Sequence, residues 1–323
     1  MLTKISIVIP VRDEESALAE LFAGIEQQQF PLDEIVIVDG GSTDQTFKLL
    51  EERAAFDSRL KVVSTMGATP GKGRNIGIEA ARNEWIALTD AGIILEPDWL
   101  QVLVEKLGEN PNIGIIYGDY APVISSYFEK IAALSYVGPK QMGRIRGPFI
   151  ASSLLSKTAW RKVGGFPDWR AAEDLSFMEA LDAAGIASAT APKARVHWKL
   201  RPDLGSTIRK FVLYSKHNIW AGRQWDWHYG ILRQYVLILP FVVLGFFHSW
   251  FWFLTIPIWT LLRAAKRIVL HRQEFGLTPL VNLPVLFGVA GLIICIDLAT
   301  FIGWAQAYLE RRHDRVKTAP IEK

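Results

Sequence analysis

The stretch Glu34–Asp44, EIVIVDGGSTD, decides the fold. Glu34–Asp39 is a short apolar run that ends in a carboxylate, and it reads as a buried strand. Gly40 and Gly41 let the backbone turn tightly and approach a ligand closely. Ser42, Thr43 and Asp44 are residue types that cap helix N-termini. Helical spacing follows over Thr43–Ala55. The unit is therefore strand, small-residue turn, helix.

The same unit recurs on both sides. Ile5–Pro10 (ISIVIP) reads as a first buried strand, followed by helical spacing over Glu14–Gln28. It is too short, and too abruptly ended by Pro10, for a secretory signal, so the N-terminal region is expected to stay in the cytosol. Leu60–Ser64 and Trp85–Asp90 read as further strands, with helices over Lys72–Arg82 and Pro97–Leu107. Ile113–Tyr117 and Phe149–Leu155 suit strands, and Glu173–Ala184 suits a helix stopped by Gly185. Strand–helix alternation argues for an α/β fold with a mostly parallel, Rossmann-like sheet. In such sheets ligands bind beyond the carboxyl ends of the strands. Pro10–Glu14, Asp39–Asp44 and Asp90–Gly92 all fall there.

Composition excludes several classes. Half of the 323 residues are hydrophobic, so a globally disordered chain is excluded. One cysteine excludes an internal disulfide scaffold. The net charge of +3 hides a split: from Gly230 onward there are 10 Lys+Arg against 5 Asp+Glu, and before it 26 against 28. The basic excess lies in the more apolar third, which points to a membrane surface and not to nucleic acid.

That last third contains Gln234–Leu262, 29 residues without a charge, and Phe275–Leu309, whose single charge is Asp297. Each is long enough for a membrane-spanning helix of about 20 residues. Trp220, Trp225, Trp227 and Tyr229 precede the first window like an interfacial aromatic belt. The expected organisation is a cytosolic domain over 1–229, two to three membrane helices over 230–310, and a basic tail over 311–323. The middle cluster Arg263/Lys266/Arg267/Arg272 leaves the number of crossings open: two simple spans would place it outside, whereas a tight hairpin in the first window, shallow or tilted because 29 residues are short for two spans, would keep it inside. The expected location is the cytoplasmic membrane, multi-pass, with the catalytic domain in the cytosol.

The strand ends carry the chemistry. Asp39 is placed to hydrogen-bond a base or ribose, with Gly41 allowing close approach. Lys72 and Arg74 in GKGRNIG lie beside helix-start N–H groups, which suits a diphosphate. Asp90 could hold a divalent cation that also binds phosphates. Glu173 and Asp174 open an apolar helix, where the dipole favours carboxylates and one could act as a general base. His197 is a candidate metal or phosphate contact.

Together these segments resemble the family 2 glycosyltransferases, which bind nucleotide sugars on the GT-A fold. Ile7–Glu14 looks like that family's opening strand and nucleotide-contacting turn, VDGGSTDQT matches its second motif, and Lys72–Gly77 is similar to its Arg-Asn-x-Gly helix start. Asp90 falls where its Asp-x-Asp begins. Gly164-Gly165-Phe166 followed by Glu173-Asp174 looks like its acceptor motif. The resemblance covers about residues 4–200. It implies that Pro10, Val11, Arg12, Glu14, Asp39, Gly41, Lys72, Arg74, Asn75 and Asp90 hold a nucleotide-diphospho-sugar. It also implies that Asp174, beside Glu173, is the catalytic base, with inversion at the anomeric carbon. Asp90 and His197 would hold Mg²⁺ or Mn²⁺, although Gly92 replaces the second Asp of Asp-x-Asp. Arg223-Gln224-Trp225 departs from the Gln-x-x-Arg-Trp of the processive synthases, which implies single-sugar transfer. The expected acceptor is a lipid-linked or saccharide hydroxyl in cell-envelope or polysaccharide synthesis. Two other readings stand beside it: a polyprenyl-phosphate sugar synthase, and a non-catalytic membrane protein that only binds sugar nucleotides.

Overall fold

Eight strands make a single sheet in this computed structural model, which describes residues 3–110 and 112–318, with side chains up to Glu310. The strands are β1 (Ile5–Val11), β2 (Glu34–Asp39), β3 (Leu60–Ser64), β4 (Trp85–Leu88), β5 (Ile93–Leu95), β6 (Ile115–Val123), β7 (Ser153–Ser156) and β8 (Ser188–Lys199). Their spatial order is β3-β2-β1-β4-β7-β6-β8-β5. The first four in that order run parallel. β7 is antiparallel to both of its neighbours, β4 and β6. β8 runs parallel to β6, and β5 closes the edge antiparallel to β8. The sheet is therefore mostly parallel, as expected.

The central strands are apolar on both sides because both faces are covered. In β1, Ile5, Ile7, Ile9 and Val11 join one core, and Val8 joins the other. The first core is roofed by helices Glu15–Glu26, through Leu18, Leu21, Phe22 and Ile25, and Trp99–Glu109, through Trp99, Leu100 and Leu103. The second lies under helices Pro70–Ala80, through Ile78, and Glu173–Ala183, through Phe177, Met178 and Leu181. Pairing of Val11 with Asp39, and of Val8 with Leu88, sets the carboxyl ends of β1, β2 and β4 side by side.

The chain divides into two compact units. One comprises the chain up to Val123 together with Lys140–Lys199, and the other comprises Ile124–Pro139 together with the chain from Leu200 onward. The division falls earlier than the expected 229/230 boundary, which followed the onset of the uncharged run. Helix Leu204–Trp220 is the reason: its Ser215 hydroxyl donates to Thr300 O at 2.6 Å, within helix Leu283–Thr318. A Cβ on Gly303 would lie 2.3 Å from Val212 O, so only glycine allows that approach. Helix Tyr127–Tyr136 joins the same unit, with Ile131 filling the space above Gly288.

Two helices of this second unit are long and apolar enough, by length and composition, to cross a membrane: His228–Phe247 and Leu283–Glu310. Little of the first is buried, and about half of the second is. Helix Thr255–Leu270 follows the first after a short 3₁₀ segment, Trp250–Leu254. Asp297 is paired with Arg263 at 2.7 Å and accepts from Tyr235 Oη at 2.8 Å. The expected basic tail begins on the backbone of the last helix. Its side chains, and residues 319–323, lie outside the described residues.

Candidate active site

Three adjacent strand ends converge, and the turn after β2 is the most ordered part of them. Asp39 is 2% exposed. Its carboxylate accepts from Gly41 N at 3.0 Å, from Ser42 N at 3.2 Å and from the Ser42 hydroxyl. These bonds hold the turn open as a rigid loop and occupy most of the carboxylate's acceptor positions. Gly41 has φ +86, and a Cβ there would meet Met66 Sδ at 2.8 Å.

The turn after β1 is pinned to the turn after β2. Asp13, at φ 55, accepts from Thr43 N at 2.6 Å and donates its own N–H to Ser42 Oγ. Hydrogen bonds to Thr43 hold its carboxyl below the usual range. Glu14 N donates to Thr46 Oγ1 at 2.8 Å, and Val11 O accepts from Gly40 N at 2.8 Å. Arg12 lies exposed beside Asp13. Asp13 was not singled out by sequence. Its type, which tolerates the left-handed region, was the available signal.

Helix Pro70–Ala80 begins two residues before Lys72. Thr69 caps it, accepting from Lys72 N at 3.2 Å while donating to Asp168 Oδ1 at 2.6 Å. Its glycines serve packing: a Cβ on Gly71 would lie 2.2 Å from Pro167 O, on Gly73 3.0 Å from Pro10 Cβ, and on Gly77 2.4 Å from Val8 Cγ1. Close approach brings Arg74 to the centre of the site. Arg74 is 3% exposed, and its guanidinium bridges Glu173 Oε1 at 2.9 Å and Asp90 Oδ1 at 2.7 Å. Burial opposes the charge, but Asp90, Glu173 and Asp174 outweigh it and push the guanidinium pKa up. Burial also pushes the Glu173 carboxyl up, against Arg74 and with Asp174.

Asn75 turns away from this centre. Its amide donates to Phe166 O at 2.7 Å and accepts from Phe166 N at 2.8 Å and Trp160 Nε1 at 2.9 Å, so it ties the Gly164–Phe166 turn to the helix. Phe166 stacks on Phe177 with centroids 3.8 Å apart, which fixes the start of helix Glu173–Ala183. Ala172, just ahead of that helix, is held at φ 66. Such a non-glycine outlier clusters at functional sites. Glu173 is spent on Arg74, whereas Asp174 is half-buried one residue further on.

The site thus brings together Pro10, Asp39, Arg74, Asp90, Glu173 and Asp174, with Lys72 half-buried in the same first helical turn. His197 stands elsewhere in role: it lies within β8, opposite Ile94, and its Nε2 meets Glu96 Oε1 at 3.0 Å. Among the described residues no group of three or more His, Cys, Asp or Glu is arranged to hold a metal. Asp90, just past the end of β4, has a partly exposed side chain, and a Cβ on Gly92 would meet nothing within 4 Å. That donor set fits an ion of the Mg²⁺ or Mn²⁺ type only when shared with a diphosphate, since such ions take one or two carboxylates plus phosphate oxygens.

Strand ends of a mostly parallel sheet, with a buried Arg and a helix-opening carboxylate pair, define an α/β class that binds ligands at that edge. Residues 6–151 match the family described as Glycosyl transferase family 2, and the chain carries a domain of that family. EpsH of Bacillus subtilis (strain 168) is 32% identical over 111 residues, 34% of this chain and 32% of EpsH. The poly(ribitol-phosphate) beta-N-acetylglucosaminyltransferase TarS of Staphylococcus aureus (strain Mu50 / ATCC 700699) is 30% identical over 101 residues, 30% of this chain and 18% of TarS. These curated relatives are thus matched over about a third of their length or less. The mannosyltransferase PcManGT from Pyrobaculum calidifontis, solved with GDP-Man and Mn2+, is similar in fold over 93% of this chain and 88% of its own, with a TM-score of 0.61 and 17% identity. The sheet is of the GT-A type.

Proposed function

We propose that the protein transfers a sugar from a nucleotide-diphospho-sugar to a hydroxyl acceptor, lipid-linked and beside a membrane, in cell-envelope or polysaccharide synthesis. The observation that carries this reading is the buried Arg74, clamped between Asp90 and Glu173 at the ends of adjacent parallel strands. The pinned turns at Val11–Glu14 and Asp39–Ser42 form the nucleotide's cradle. Lys72, in the first turn of helix Pro70–Ala80, faces the diphosphate with the helix N–H groups.

Arg74 positions the two carboxylates around it and keeps Glu173 from serving as the base. Asp174 accepts the acceptor's proton as its oxygen bonds to the anomeric carbon and the bond to the diphosphate breaks, with inversion. A bound Mg²⁺ or Mn²⁺, held by Asp90, would supply charge neutralisation for the leaving diphosphate. The relatives support the reaction class, and PcManGT, solved with GDP-Man and Mn2+, supports a donor and an ion of this kind. The apolar helices support membrane attachment, with the catalytic unit on the cytosolic side.

The test uses purified protein in nanodiscs. A panel of nucleotide sugars is screened for protection against thermal unfolding. The protecting donor is then assayed for nucleoside-diphosphate release with lipid acceptors. Asp174→Asn is expected to lower turnover about 10²–10⁴-fold, the usual worth of a general base, while donor protection persists. Turnover close to wild type would favour a phosphate acceptor, which needs no base. Protection without release by the wild-type protein would favour a binding protein.

A further inference from the structure

The uncharged run Gln234–Leu262 folds as a helical hairpin. Helix His228–Phe247 descends, the chain bends at His248 and Ser249, and the 3₁₀ segment Trp250–Leu254 leads into helix Thr255–Leu270. The bend is tight and aromatic. Phe246 and Phe253 meet at 5.0 Å, Phe241 and Trp252 at 5.7 Å, and a Cβ on Gly245 would lie 2.7 Å from the Phe253 ring. The bend also satisfies its own backbone. His248 N and Ser249 N both donate to Leu244 O, Trp252 N donates to Ser249 O, and Thr255 Oγ1 donates to Trp252 O. In hydrocarbon, backbone polar groups need internal partners, and these bonds supply several of them at the bend.

The surface of the hairpin is apolar as well. Phe246, Phe247, Trp250 and Phe251 are 61–87% exposed, and Val236, Leu239 and Ile258 are more than half exposed. Charge lies at the base of both arms: Arg223, Asp226 and Arg233 on the way in, and Arg263, which pairs with Asp297, then Lys266, Arg267 and Arg272 on the way out, a net cationic set. Cations near apolar segments mark the cytoplasmic side, and here both arms carry them at the same end. The depth is limited too. From Gln234 to His248 the α-helical rise is about 22 Å. From Trp250 to Leu262, with its 3₁₀ turn, it is again about 22 Å. Both fall short of a hydrocarbon core of about 30 Å.

We infer that this hairpin is a re-entrant membrane anchor: it enters and leaves the bilayer through the same, anionic leaflet, and its aromatic tip ends inside the hydrocarbon. Residues Gln234–Leu262 therefore contribute no crossing, and the middle basic cluster stays on the side of the catalytic unit. The inference rests on the membrane-attachment part of the function proposed above. A full-length protein that stays in the supernatant when membranes are sedimented would end that part before the hairpin is tested.

The experiment is cysteine mapping of the full chain in its native membrane, in a Cys295→Ala background. Single cysteines are placed at Gln224→Cys before the hairpin, Ser249→Cys at its tip and Gln273→Cys after it. Each is probed with a membrane-impermeant maleimide in intact cells and in inside-out vesicles. The expected result is labelling of positions 224 and 273 only in inside-out vesicles, and of position 249 only after detergent. Labelling of 224 and 273 from opposite sides would overturn the inference, as would labelling of 249 without detergent. A matched set scored for membrane-extracted yield and thermal midpoint keeps a misfolded variant from being read as a protected one.

Discussion

At the scale of single residues, the site turns on how one cation is used. Arg74 looks in sequence like a diphosphate ligand, because it sits in a basic, glycine-rich helix start. In the fold it is 3% exposed and already paired twice. The distinction was not legible, because Glu173 is 99 residues away and no local pattern reports that contact. Asn75 was read the same way and is instead the anchor of the Gly164–Phe166 turn. Asp90 ends an apolar strand as Asp39 does, but the fold turns it to Arg74, whereas Asp39 pins its own turn. Arg74→Ala is expected to destabilise the protein by about 3–5 kcal/mol, because it leaves the Glu173 carboxylate buried and alone. Thermal unfolding in detergent checks this, and Arg74→Ala,Glu173→Gln together should recover part of the loss. A second titration sits in helix Leu204–Trp220. Burial, reinforced by the charge of Arg201, lowers the Lys210 pKa from 10.5 to about 7. Between those values the unfolded chain binds a proton that the folded chain does not, so this contribution to stability is present at high pH and is lost as pH falls to about 7. Lys210→Met should remove it: the variant's midpoint should exceed the wild type's by more at pH 7 than at pH 9. An offset that does not vary with pH would count against this.

At the scale of elements, sequence reading succeeded where burial is two-sided. β2 begins and ends at the expected residues, because a strand buried throughout is a continuous apolar run with polar punctuation; β3 does so too, although only its Leu60 is buried. β5 was not anticipated: Ile93–Leu95 is three residues long and too short to show a period. Helix Pro70–Ala80 shows how composition can mislead. Its two cations beside helix-start N–H groups suggest a diphosphate site, whereas the use of its glycines is to let the helix lie close on β1 and β2. Gly77→Ala would force a methyl to within 2.4 Å of Val8 Cγ1. It is expected to cost about 1–3 kcal/mol through overpacking, measurable as a lower thermal midpoint. The cap offers a milder control, since Thr69→Ala should cost about 1 kcal/mol.

At the scale of the whole molecule, the two units are interleaved along the chain. Helix Tyr127–Tyr136 is read from sequence as part of the α/β region, but its Ile131, Ala132, Ala133 and Leu134 are buried in the helical unit. No linker composition marks this, because the excursion leaves from β6 and returns within about 16 residues. A chain cut after Lys199 would expose that helix's apolar face. It is expected to aggregate, and a second truncated chain in which 124–139 is also replaced by a short Gly/Ser linker should be more soluble. Size-exclusion yield of the two chains distinguishes them. The charge split was legible from composition alone, since the cations cluster around uncharged runs. How the first of those runs folds back on itself was not, because a hairpin and a single span share one composition.

The long reach from Arg74 to Glu173 also sets a timetable. Ribosomes add roughly 5–20 residues per second. Helix Pro70–Ala80 therefore leaves the ribosome roughly 5–20 s before Glu173, the second carboxylate on its buried cation, and before Pro167, which closes over Gly71. For most of that interval the nascent sheet has a helix seated on glycines whose buried cation holds one of its two carboxylate partners, Asp90, and lacks the other. A chaperone or the membrane surface has its opening then, and slow codons between positions 80 and 173 would lengthen it.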